Sequence, residues 1–208
     1  MLRSWDNFIR LIYEEKAHSP KERLKALKLA NHLFRKETHF KNLTLDERNF
    51  IAGTPNKLNK EGSDLWGLFG SMQGSGYFKE AIGLNNELIP KALDQIPLTG
   101  QITKQHYDNY IRYFKEALPQ RMFLASATRL LAMKRPDVFI CVAGKNMKAL
   151  CKDFKIVQSG MNYERYWTDI IERIFDSNWW QNPTPKSHEE EGIDHARAAF
   201  LDSMYYQP

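Results

Sequence analysis

Residues 119–156, PQRMFLASATRLLAMKRPDVFICVAGKNMKALCKDFKI, carry the local signals that decide the fold reading. From Met122 to Met133 apolar side chains are almost continuous, and Leu, Met and Ala lose little entropy in a helix. Thr128 is the only β-branched residue in that run. A helix apolar on most of its faces has to be packed on several sides, so this one is expected at the centre of the fold. Pro136 ends it, because the residue before a proline is pushed out of the helical region. Lys134 and Arg135 fall in the last turn, where cations complement the carbonyl end of the helix. Val138-Phe139-Ile140-Cys141-Val142 then reads as a short buried strand or extended segment. After Ala143-Gly144, Asn146 is placed to cap a helix that runs to Phe154. Met147, Leu150, Cys151 and Phe154 share one face of it; Lys145, Lys148, Lys152 and Lys155 lie mostly on the other. Leu130, Leu131, Phe139 and Ile140 are expected in the main core.

Working outward, Ser4 caps a first helix with Trp5, Phe8, Ile9, Ile12 and Tyr13 on one face. Ser19-Pro20-Lys21-Glu22 combines a hydroxyl cap, proline at the first position and a capping-box glutamate. The helix it opens reaches about Glu37, with Leu24, Leu27, Ala30, Asn31 and Phe34 inside and Lys21, Arg23, Lys25, Lys28, Arg35 and Lys36 outside. Thr44-Leu45-Asp46-Glu47 repeats the capping logic for a helix closed by Gly53. Thr54 to Gly62 is loop. Phe78 to Leu93 is helical in pattern, stepped at Pro90, and Thr103 caps an aromatic helix bearing Tyr107, Tyr110, Ile111, Phe114 and Leu118, ended by Pro119. Asn162 opens a helix through Ile174, and a last one covers about Glu190 to Tyr205.

The pattern predicts an all-α fold, a compact multi-helix domain of roughly nine helices with at most one short strand near 138–142. It is one domain over 1–208, or two closely packed lobes, 1–54 and 62–208, joined by the loop. A chain of 208 residues that is 42% hydrophobic buries a proper core and is not disordered. Its two cysteines, Cys141 and Cys151, sit inside apolar patterns, so neither a disulfide framework nor a zinc site is implied. With no signal core at the N-terminus and no run of membrane-spanning length, a cytoplasmic protein that does not enter a membrane is expected. The net charge of +5 is compatible with nucleic acid without being diagnostic of it.

No complete catalytic motif occurs. Asp137 followed by an apolar run and Lys145 has the outline of a restriction-type nuclease core, but the second acid would have to be Ala143. Gly70, Gly74 and Gly76 invite a phosphate-loop reading, yet neither Gly-Lys-Ser/Thr nor a preceding strand accompanies them. Gly74-Ser75-Gly76 between helical segments has the look of the turn in a DNA-binding hairpin, with Ser75 in place of the usual apolar middle residue. The plain alternative is a tight interhelical turn with no ligand. His188, Glu191 and His195 match no standard metal spacing, and Gly192 interrupts them, so no metal and no cofactor is expected.

The order of apolar helix, Lys134-Arg135-Pro136, apolar connector and small residues resembles the segment after the hairpin in helix-hairpin-helix DNA glycosylases. That family places a catalytic lysine about one helix-length before the proline and an aspartate just past the connector. Here those places fall near Phe123 and at Val142 or Ala143, so the resemblance, over about a fifth of the chain, implies DNA-binding architecture without base excision. The central pattern and the Trp179-Trp180 region are also similar to uncharacterised helical proteins of bacterial defence gene clusters.

The expected function is therefore that of a non-catalytic or accessory DNA-binding protein. Backbone amides at Gly74, Ser75 and Gly76 and the cations Lys134, Arg135, Lys145, Lys148 and Lys152 would meet the phosphates of duplex DNA. One alternative is a structural subunit that docks on a larger protein partner through its aromatic C-terminal region. Another is a glycosylase- or nuclease-like enzyme whose active residues follow no familiar motif.

Overall fold

Ser4, Ser19, Thr44, Thr103 and Asn162 each accept a backbone N–H from the first turn of the helix they precede. The computed structural model describes residues 3–15, 19–37, 39–58 and 65–206. Its helices are α1 (Trp5–Glu14), α2 (Pro20–Lys36), α3 (Leu45–Ala52), α4 (Gly76–Gly83), α5 (Leu88–Asp94), α6 (Lys104–Ala117), α7 (Leu124–Lys134), α8 (Met147–Phe154), α9 (Tyr163–Arg165), α10 (Glu172–Phe175), α11 (Asn178–Gln181), α12 (His188–Asp194) and α13 (Leu201–Tyr205). A π-helical stretch, Tyr166–Ile171, joins α9 to α10 without a break. Among the described residues no strand forms, and the fold is all-α. None of these helices is long and apolar enough to cross a membrane.

Helix α7 is buried on nearly every side, as its all-round apolarity predicts, and packs against α2, α3 and α5. Leu130, Leu131, Phe139 and Ile140 are fully buried. Around α7 a single hydrophobic cluster extends from Trp5 to Tyr205. Arg129 of α7 is fully buried as well. The Arg129 guanidinium donates to the carbonyls of Phe50 and Ile51 in the last turn of α3, and to those of Leu68 and Gly70. Two of its acceptors thus belong to the electronegative end of a helix, which suits a cation. Gly53 closes α3 at φ +75°, and a Cβ there would lie 2.6 Å from the Gly70 carbonyl oxygen. Only glycine lets helix end and loop come this close.

The apolar segment after α7 is a buried connector without a ladder. Buried backbone groups have to find partners, and here side chains supply most of them. Tyr166 donates to the Ile140 carbonyl, Asn146 to that of Cys141, and Trp180 to that of Asp137. The Thr128 hydroxyl accepts from Val142 N and the Asn146 side-chain oxygen from Ala143 N. Asn146 therefore occupies the position before α8 but ties the connector instead of capping the helix.

Other departures have local causes. Asn31, predicted inside, is exposed, whereas Arg23 on the predicted outer face is buried against Asp202. The step between α4 and α5 falls at Asn85, which has φ +53°, and Pro90 fits within the first turn of α5. The predicted last helix is two, α12 and α13, separated by turns at 195–200. Asn59 to Gly62 of the predicted loop lie outside the described residues.

Candidate nucleic-acid interface

The five cations singled out in the sequence do not form one face. Lys134 turns inward: its Nζ donates to the Leu93 carbonyl at 2.7 Å and stands 5.6 Å from the centre of the Phe34 ring. Arg135, 6% exposed, grips Asp137 with two N–H groups and donates to the carbonyls of Pro97 and Gly100. Arg135 thus clamps the turn at 96–100 onto the end of α7, and Lys134 ties that end to α5. Asp137 is thereby occupied as well. Lys145, Lys148 and Lys152 are exposed on and just before α8.

Burial pushes the Lys134 ammonium down to about 8, Arg135 adds to the fall, and Asp94 opposes it. A lysine whose folded pKa lies below its unfolded value of 10.5 opposes folding at low pH, where it must be charged in both states. That cost is relieved as pH rises from about 8 toward 10.5. Stability should therefore gain on the order of 1 kcal/mol per pH unit in this window relative to Lys134→Met. Urea midpoints at several pH values check this, and parallel profiles for the two proteins would contradict it.

The glycine turn lies elsewhere. Gly76 is the first residue of α4, preceded not by a helix but by the 3-10 turn Leu65–Gly67 and a loop. A Cβ at Gly74 or Gly76 would meet nothing within 4 Å, so the backbone here faces open space. Ser75 precedes α4 without capping it, and Phe123 precedes α7 without capping it. The two helix starts line the same hollow, about 290 Å³, with Arg121 and Ser126. The Ser126 hydroxyl is buried and makes only long contacts, 3.4 Å to the Ser75 hydroxyl and 3.6 Å to the Met72 sulfur.

Arg121 is exposed, with its guanidinium 4.9 Å from the centre of the Phe123 ring. Tyr77, 54% exposed, meets the same ring edge-on. Arg121 and Met122 also line a second hollow with Lys115, and Lys115 lines a third with Arg112, so a shallow furrow follows the end of α6. Two acids face it: Asp108, which is held by Lys104, and Glu116. The glycines stand out in the sequence, whereas no local pattern marks Arg121, three residues before the start of α7, or Tyr77, next to Gly76.

Uncapped amides, an exposed guanidinium, a half-used hydroxyl and an exposed ring can together hold an oxyanion and the group attached to it. Among the described residues no group of three or more His, Cys, Asp or Glu side chains is placed to hold a metal ion. Comparison with protein-family models, curated proteins and solved structures finds no match for this chain.

Proposed function

We propose that the chain binds nucleic acid non-catalytically, seating a backbone phosphate in the hollow between the starts of α4 and α7. The observation that carries this reading is the convergence of two uncapped helix N-termini on one cavity rimmed by Arg121. Arg112 and Lys115 extend the positive track along the furrow. Contacts of this kind position a phosphate backbone and carry little sequence information, so duplex DNA is bound with weak sequence preference.

A salt titration of duplex affinity tests it. Arg121→Ala with Lys115→Ala should flatten the dependence of log affinity on log salt by about one unit per lost contact. Lys148→Ala with Lys152→Ala should leave the slope unchanged. Ser75→Asp adds a third arm: a carboxylate before α4 should hold or raise thermal stability while weakening DNA binding. Equal slopes for the wild type and the Arg121/Lys115 variant, or no binding at about 50 mM salt, would overturn the assignment.

A further inference from the structure

A hollow of about 840 Å³ lies between α2 and α12, away from the glycine turn. Its floor includes Leu24, Leu27, Pro136 and Ala196. At Gly192 the two helices almost touch, since a Cβ there would lie 3.1 Å from Leu24. One wall is a ridge on α2. Lys21, Lys25, Lys28, His32 and Arg35 are all exposed, and their steps of four, three, four and three residues keep them in one line. At 1.5 Å per residue that line is about 21 Å long. The opposite wall carries Glu189, which accepts from the Tyr13 hydroxyl, and Glu191, which pairs with His188.

We infer that this groove docks a helical segment of a protein partner, apolar on one side, with carboxylates along one edge and cations along the other. The heptad-like spacing of the ridge is the spacing of one edge of an α-helix, so a second helix laid alongside can offer carboxylates in register. Its apolar side would cover the floor, and its basic edge would meet Glu189 and Glu191. Nucleic acid fits less well. Among the described residues that line it there is no Phe, Tyr or Trp to stack a base, and Glu189 and Glu191 repel a second row of phosphates. A duplex riding on the ridge would leave the floor in water.

The probe is a labelled helical peptide of about five turns with leucines on one side, glutamates along one edge and lysines along the other. Fluorescence anisotropy with the full chain should show saturable binding. A scrambled peptide of equal composition should bind at least roughly tenfold more weakly. Lys25→Glu with Lys28→Glu, both at exposed positions, should weaken the striped peptide by a similar factor at an unchanged circular dichroism spectrum. A peptide with its acidic edge changed to lysine should restore binding to that variant. Equal binding of striped and scrambled peptides overturns the inference, as does displacement of the peptide by duplex DNA through the ridge. Concentration-dependent self-association that Lys25→Glu with Lys28→Glu abolishes would instead give the groove to a second copy of the chain. Loss of DNA binding in the Arg121/Lys115 variant with peptide binding intact keeps this site separate from the proposed phosphate hollow.

Discussion

Arg129→Met should cost roughly 3–5 kcal/mol, enough to unfold a large share of a domain whose whole stability is of order 5–15 kcal/mol. Four carbonyls converge on this guanidinium inside the core, and methionine of similar length satisfies none of them. Each buried acceptor left without a donor costs about 1–3 kcal/mol, more than the apolar replacement returns. Among the described residues no carboxylate pairs with Arg129, and burial lowers its pKa from 12.5 to about 10. It still carries its charge at neutral pH. Lysine is no substitute, since a compact ammonium cannot span acceptors on α3 and on the 68–70 loop as a planar fork does. The check is a urea titration read at constant m-value, and a midpoint shift worth under about 1 kcal/mol would show that these carbonyls find other partners.

Asp202→Ala should be of similar size, roughly 3–5 kcal/mol, because it leaves a charge buried without its close partner. Arg23 and Asp202 are almost fully enclosed and meet at 2.7 Å, with Glu15 at 3.7 Å from the same guanidinium. The other Asp202 oxygen accepts from Asn146, the residue that ties the connector. Alanine therefore leaves Arg23 with the longer contact to Glu15 in place of its close partner, and loosens the 138–143 segment as well. Replacing both partners, Arg23→Met with Asp202→Leu, should lose less than Asp202→Ala alone, since well-packed apolar side chains can stand in for a buried pair. Thermal denaturation of the single and double variants decides this. A double variant less stable than Asp202→Ala would mean that the pair contributes more than it costs to desolvate.

What was legible in the sequence is what depends on near neighbours. Ser19 with Glu22 and Thr44 with Glu47 act within one turn, so residue identity and spacing suffice to place α2 and α3. The all-round apolarity of 122–133 likewise announced the central helix. The connector was ambiguous for the opposite reason: the partners that hold it, Tyr166 and Trp180, lie 26 and 43 residues away in the chain. No periodicity reports them. Lys134 and Arg135 read as surface cations because basic residues at a helix end usually are, but the 96–100 turn closes over Arg135 and the end of α5 takes Lys134 inward. The proposed hollow was half visible, since Gly74 and Gly76 mark open backbone while the approach of α7 and Arg121 is a tertiary fact.

The connector, which has no ladder, also constrains the order in which the chain can fold. Thr128 and Asn146 are near in sequence, but its other side-chain partners come late: Tyr166, Trp180 on α11 and, for the preceding Pro136 carbonyl, the N–H of Ala199. A ribosome that has released only the first 160 residues or so has made the whole apolar segment and none of these late partners. Until Tyr166 and Trp180 emerge and dock, the Asp137 and Ile140 carbonyls in this apolar stretch lack their donors, and exposed backbone of this kind adds to another chain. Docking of the segment that carries Tyr166, Trp180 and Ala199, not local helix formation, is the step that closes this core.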